Sequence, residues 1–210
     1  MTEVQPTLPP LKRRSAISRW MRRLEGSEWV DQIVIAAPPD WEEPSILVAE
    51  EIAATKVSAA VRGGASRSES VRLALAEVPE DAAVVLVHDA ARPLLPDEVI
   101  ERVLAPLSEG WEGVVPALRV SDTVKRVEGD RVVETLRRDD LVAVQTPQAF
   151  LADTLRQAVA GDVTEATDCA SLVEAGGGRV TWVEGDPRLL KVTDVADLAL
   201  VESWLDEEEE

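Results

Sequence analysis

Short apolar runs alternate with amphipathic stretches along most of the chain, the pattern of a parallel sheet wrapped by helices. Ile17, Trp20, Met21 and Leu24 recur at helical spacing, which predicts a helix over 15–24 stopped by Gly26. Residues 30–37 read as a strand ended by Pro38 and Pro39, 44–54 as a helix and 56–61 as a short strand. Val71, Leu75 and Val78 mark the inward face of a helix over 68–78. The run over 82–87 is short, apolar and β-branched, as expected of a buried strand. Pro96 opens the next helix at its first turn, with Asp97 and Glu98 near its positive end. A further strand covers 113–118.

The pattern then changes. Two strand-like runs within 121–137 flank Glu128-Gly129-Asp130, which predicts a hairpin. Such a charged hairpin has little apolar surface of its own, so it either reaches over another subunit as an arm or stands as a solvated flap. Beyond it come a short strand (142–145), a helix (151–159) and a second helix (166–175) running into Gly176-Gly177-Gly178. A strand over 180–183 and a closing helix over 195–205 complete the series. No repeat or linker divides the chain. The expectation is one α/β domain over 1–205, with an arm at about 119–138 and a solvated acidic tail over 206–210.

Charge and composition narrow the chemistry. A formal net charge of −18 over 210 residues argues against nucleic acid or a membrane surface as partner. The single cysteine, Cys169, excludes an internal disulfide and a cysteine-built metal site, and fits a reducing cytoplasm. No run approaches membrane-spanning length, and residues 1–10 lack the apolar core of a signal peptide. There is one histidine and no tyrosine. A histidine base would have to be His88, which sits between a strand and Asp89 and reads as structural. Reactions that need no protein base are favoured.

The most informative stretch is Val84-Val85-Leu86-Val87-His88-Asp89-Ala90-Ala91-Arg92-Pro93. Ligands of open α/β sheets bind outside the carboxyl ends of strands. A carboxylate there suits Mg²⁺ and an arginine three residues later suits a phosphate, although Asp89 also fits a plain polar turn. Gly63 and Gly64 lie between a strand and a helix start, either to let backbone approach a ligand or simply to turn the chain. Thr146, held before Pro147, is placed to bind an oxyanion or belongs to an ordinary loop. Thr167 or Asp168 caps the helix that follows. Lys191, inside the apolar run Leu189-Leu190-Lys191-Val192, needs a partner for its ammonium: a bound phosphate, or water reached by snorkelling.

Taken in order, these segments resemble the 2-C-methyl-D-erythritol 4-phosphate cytidylyltransferases, also called 4-diphosphocytidyl-2-C-methyl-D-erythritol synthases. The resemblance is carried by Gly63-Gly64-Ala65-Ser66-Arg67 with Ser70-Val71, and by His88 to Pro93. It continues through Asp122-Thr123-Val124-Lys125, Thr146-Pro147-Gln148-Ala149-Phe150, Thr167-Asp168 with Ala170-Ser171, and Lys191-Val192-Thr193 with Asp197-Leu198. It implies a three-layer, Rossmann-like nucleotidyltransferase fold with a mostly parallel sheet, working as a homodimer through a projecting β-arm. The implied reaction joins CTP to the polyol phosphate and releases pyrophosphate, with Mg²⁺. The resemblance implies roles residue by residue. Asp89 would hold the metal, and Lys191 would stabilise charge near the α-phosphate. Gly63, Gly64, Ser70 and Ala90 would contact the nucleotide. Thr146 and Thr167 would lie against the polyol phosphate. Arg92, Thr123 and Arg138 would approach its phosphate, partly from the neighbouring subunit's arm.

The family opens with a strand and a glycine-rich loop carrying an arginine and a Pro-Lys pair. Here the chain begins Met1-Thr2-Glu3-Val4-Gln5-Pro6, with no glycine before Gly26. The position of the family's lysine falls near Pro6. The expectation is a gap in the middle of the sheet. Three readings stand beside it: a shortened start, a dimerising homologue that does not catalyse, or Lys12, Arg13 and Arg14 supplying the lost cations. A ribitol-phosphate cytidylyltransferase is a neighbouring alternative. Cys169 stands where the family more often has an acidic residue.

Overall fold

The computed structural model describes the backbone of residues 10–161, 163 and 166–208, and side chains between Ile17 and Leu205 within that range. Helices α1 (Pro10–Gly26), α2 (Glu42–Glu51) and α3 (Arg67–Leu75) alternate with strands β1 (Ile33–Ala37), β2 (Val57–Arg62) and β3 (Val84–Val87). Next come α4 (Asp97–Leu104), β4 (Gly113–Arg119), β5 (Lys125–Glu128), β6 (Arg131–Thr135), β7 (Val142–Val144) and β8 (Gln148–Leu151). The chain closes with α5 (Ala152–Val159), α6 (Cys169–Ala175), β9 (Val180–Glu184) and α7 (Val195–Glu208).

The larger sheet runs β3-β8-β4-β7, with β9 also on β4. Strand β8 is antiparallel to both β3 and β4, and β9 is parallel to β4, so β3, β4 and β9 point one way against β8 and β7. Successive residues of a strand face opposite layers. Val114 and Ala149 therefore join one core with Met21, Val48, Val99 and Val103, while Val115 and Phe150 join another with Leu75, Leu155 and Val173. The three-layer reading holds.

The ends of several elements follow from local chemistry. Ser66 caps α3 by accepting from the Glu69 amide at 3.1 Å, and the Glu69 carboxylate reaches back to the Ala65 amide at 2.7 Å. Pro96 is the residue just before α4, with extended backbone, rather than inside its first turn. The hairpin β5–β6 turns at Gly129 (φ +58°) and sets Val127 opposite Val132. Both valines stay more than half exposed, so among the described residues nothing covers this face of the arm.

Three expectations need correction. Residues 148–150, for which a plain loop was one reading, and Leu151, expected to open a helix, form β8, because that run finds a partner on each side. The acidic tail is not wholly separate, since α7 runs on to Glu208; residues 209–210 lie outside the described residues. The third concerns β3. The break in the sheet is where a gap was expected, since among the described residues β1 pairs with β2 in a ladder of its own and no ladder joins β1 to β3. Strand β3, however, is not the buried strand its sequence suggests. All four residues of β3 are only half-buried although both faces are covered. The region near Pro6 lies outside the described residues, as do the side chains of Lys12, Arg13 and Arg14.

Candidate active site

Strand β3 ends by pointing Asp89 into a group of three cations. Arg67, at the start of α3, donates Nε–H to Oδ1 at 3.0 Å. Lys191 Nζ lies 3.1 Å from Oδ2, and Arg92 Nε lies 4.0 Å from it. Burial raises the pKa of Asp89, but the charges and hydrogen bonds of Arg67 and Lys191 outweigh it and hold the carboxyl below its usual range. The same attraction keeps Arg67 above its ordinary value against the cost of its burial. Arg92 differs. Its burial and the repulsion of Arg67 outweigh the more distant Asp89, so its pKa is depressed. Its Nε is buried and has no hydrogen-bond partner. Arg92 is the cation of the three whose charge most lacks an anion.

The backbone of this turn is pinned by the sole histidine. The Asp89 amide donates to Thr146 Oγ1 at 3.0 Å, and Thr146 lies 3.2 Å from His88 Nδ1. His88 Nε2 lies 3.0 Å from the Arg92 carbonyl, which can only accept, so Nε2 carries the proton and Nδ1 accepts from the threonine hydroxyl. Burial pushes His88 down to about 4, and it is neutral at physiological pH. This is the structural role expected for it.

The Lys191 segment is tied down from two sides. The Val192 amide donates to the Ala91 carbonyl at 2.8 Å, and the Arg92 guanidinium donates to the Leu189 carbonyl. Gln145 holds the turn before it by a reciprocal pair with Asp186, its Nε2 donating at 2.9 Å and its Oε1 accepting at 3.0 Å. Asp168 caps α6 through the Ser171 amide at 2.9 Å and accepts from Gln148 Nε2 at 2.8 Å. Cys169 is fully buried below it, 3.6 Å from Arg67, and burial pushes its thiol up, so it is protonated at neutral pH.

These groups line a cavity of about 340 Å³, walled by Arg67, Asp89, Arg92, Val144, Gln145, Thr146, Gln148, Thr167, Asp168 and Lys191. Of the residues singled out from the sequence, Asp89, Arg92, Thr146, Thr167 and Lys191 meet there. Gly63, Gly64 and Ser70 form the neighbouring turn into α3. A Cβ on Gly64 would lie 2.3 Å from the Glu69 side chain, so any larger residue there would force Glu69 and its bond to the Ala65 amide to move. Ser70 Oγ receives the Gly64 amide at 3.0 Å, a structural use of both residues. Ala90 is exposed beside Asp89. Thr123 and Arg138 are exposed at the base of the arm, where Arg138 donates to the Ser121 carbonyl, and this chain does not bring them to its own cavity. Arg67, Gln145, Gln148 and Val144 were not singled out. Gln148 lay inside the quoted Thr146–Phe150 motif, and Arg67, inside the glycine motif, carried the clearer signal: an arginine at a helix start next to a predicted phosphate turn.

The cavity suits phosphates: three cations and several hydroxyl and amide groups converge on it, with no base that titrates near neutrality. Among the described residues no three His, Cys, Asp or Glu side chains are grouped to hold a metal by themselves. No helix among them is long and apolar enough to cross a membrane.

The chain is 47% identical to the 2-C-methyl-D-erythritol 4-phosphate cytidylyltransferase of Saccharopolyspora erythraea, over 96% of this chain and 91% of that protein. It is 48% identical to the protein of the same name from Nocardia farcinica, over 84% and 75% respectively. Among solved structures it superposes on the 2-C-methyl-D-erythritol 4-phosphate cytidylyltransferase of Thermus thermophilus with a TM-score of 0.75 at 32% identity, covering 90% of this chain and 89% of that one. A profile described as "IspD: 2-C-methyl-D-erythritol 4-phosphate cytidylyltransferase" matches residues 2–207, and the chain belongs to that family.

Proposed function

We propose that this chain transfers a cytidylyl group from CTP to 2-C-methyl-D-erythritol 4-phosphate, in the non-mevalonate route to isoprenoids. The products are 4-diphosphocytidyl-2-C-methyl-D-erythritol and pyrophosphate. Beyond family membership, the observation that carries this reading is the ring of Arg67, Arg92 and Lys191 around Asp89 at the carboxyl end of β3. A phosphate oxygen of the polyol attacks the α-phosphorus of CTP, and the bond from that phosphorus to the oxygen bridging to the β-phosphate breaks. The nucleophile is already anionic at neutral pH, so a site whose only histidine is neutral and hydrogen-bonded loses nothing by lacking a base.

The residues act by position and charge. Arg92 offers its unpaired, buried Nε to an incoming phosphate. Lys191, whose side chain is 41% exposed, can leave Asp89 and follow the charge that develops on the phosphates. Thr146 keeps the Asp89 turn in place, while Thr167 and Asp168 face the polyol. Gly63, Gly64, Ser70 and Ala90 lie on the nucleotide side. Asp89 fits as a protein ligand of Mg²⁺, because that ion takes one or two carboxylates and completes its shell with substrate phosphates and water. When bound it would neutralise charge on the triphosphate.

Thr123 and Arg138 belong to this reading only if they reach a second copy's cavity. The exposed arm, with two opposed valines lacking cover, supports a homodimer formed through it. A lone cysteine without a disulfide supports a cytoplasmic setting. The test is pyrophosphate release by the folded chain with CTP, Mg²⁺ and either 2-C-methyl-D-erythritol 4-phosphate or ribitol 5-phosphate. Release that requires the methylated polyol is the expected result. CTP binding without turnover on either polyol refutes the catalytic reading, and preference for ribitol phosphate refutes the substrate.

A further inference from the structure

Among the described residues the cavity wall holds a single apolar side chain. Arg67, Asp89, Arg92, Gln145, Thr146, Gln148, Thr167, Asp168 and Lys191 are all polar or charged; the exception is Val144, the last residue of β7. Val144 is 41% exposed, among the least covered large apolar residues of the sheet. A singly exposed valine is ordinary on a surface, but one that lines a ligand cavity among polar groups offers an apolar group of the ligand a place to pack.

Resting on the functional reading above, we propose that Val144 seats the 2-C-methyl group and makes the enzyme prefer the branched polyol phosphate over its unbranched analogue, D-erythritol 4-phosphate. The proposed substrate has one methyl group among hydroxyls and a phosphate, and the cavity has one apolar side chain among polar ones. Val144 stands two residues from Thr146, which fixes the Asp89 turn, so its position is tied to the charged end of the site. Its backbone is held in β7 opposite Ala117, which keeps the side chain at one depth in the wall.

The experiment compares kcat/KM for the two polyol phosphates, with CTP and Mg²⁺, in wild type, Val144→Thr and Val144→Ala. Threonine has the same shape and suits a strand, so the first variant is expected to fold and to keep its KM for CTP. One methyl in an apolar seat is worth on the order of tenfold to a hundredfold discrimination. The partial exposure of Val144 puts wild type at about tenfold. Both variants should lower this ratio to about one to three, entirely through the methylated substrate. Equal losses on both substrates, or an unchanged ratio, overturn the proposal and leave the functional reading intact. Equilibrium binding of the two polyol phosphates in the presence of CTP is measured on the same proteins. If wild type binds neither, the functional reading fails and the proposal with it. If the chain binds but does not turn over, the binding comparison decides: a wild-type preference for the methylated ligand that Val144→Thr lacks supports the proposal, and an equal preference in both proteins overturns it.

Discussion

Replacing Asp89 by asparagine keeps the shape of the side chain and removes the one negative charge among three cations. The amide oxygen can still accept from Arg67 Nε, now at 3.0 Å from a neutral group, but the new amide nitrogen meets Lys191 and Arg92 as another donor. Two unit charges at about 4 Å attract by about 4 kcal/mol at the effective dielectric of a protein surface, before desolvation is subtracted. A charge-assisted hydrogen bond retains about 1.5–3 kcal/mol of this. The Lys191 contact, 41% exposed on the lysine side, is discounted to well under about 1 kcal/mol. Asp89→Asn is therefore expected to destabilise the chain by about 2 kcal/mol at pH 7, or about 4–8 °C in Tm for a domain of this length. The pH dependence separates charge from packing. The folded pKa of Asp89 lies below its unfolded value, so its contribution is complete above about 3.9 and is lost as pH falls through the folded pKa. Urea unfolding of both proteins should show a constant difference between pH 7 and 5 that shrinks only below about pH 4. A difference that persists unchanged at the lowest pH allowing cooperative unfolding would refute the electrostatic account.

Other consequences are equally direct. Burial depresses His88 to about 4, so the folded chain resists protonating it, and that resistance weakens stability progressively as pH drops from about 6.5 towards 4. His88→Gln should remove this slope from stability measured by urea unfolding across that window, while wild-type turnover shows no inflection from a histidine between about pH 5.5 and 8. Arg92→Lys should weaken binding of 2-C-methyl-D-erythritol 4-phosphate about tenfold by calorimetry, since a point charge replaces a planar fork, and unchanged affinity would remove Arg92 from the phosphate site. If the arm works in trans, mixing inactive Asp89→Asn with inactive Arg138→Ala should restore activity to about a quarter of wild type through randomly paired dimers, and a mixture that stays inactive argues against a shared site. Gly113→Ala would put a Cβ 2.9 Å from the Phe150 ring and 3.1 Å from Val180, and should cost about 1–3 kcal/mol in urea unfolding.

Much of this was legible in the order of the residues, because the signals are local. Helical spacing of Ile17, Trp20, Met21 and Leu24 and the β-branched run ending at Val87 each follow from burying one face or both, and α1 and β3 appear where that requires. A glycine pair, an Asp–Arg turn after a strand and a lysine in an apolar run likewise marked chemistry without any knowledge of contacts. What escaped depends on groups far apart in the chain. Strand β8 is four residues after a proline; only hydrogen bonds to β3 and β4 on its two edges make it a strand. Arg67 reads locally as part of a capped turn, and its role appears because folding sets it against Asp89, 22 residues away, and Cys169, 102 residues away. Gln145 becomes a fastener only through Asp186, and Val144 becomes an apolar spot only once every other side chain around the cavity proves polar. The sequence by itself determined most of the elements, their layering and the types of group available for catalysis, since propensity and periodicity act between near neighbours. Tertiary structure alone decided which charges share a site and which edges meet, because strand pairing and charge neutralisation join residues that no local spacing relates.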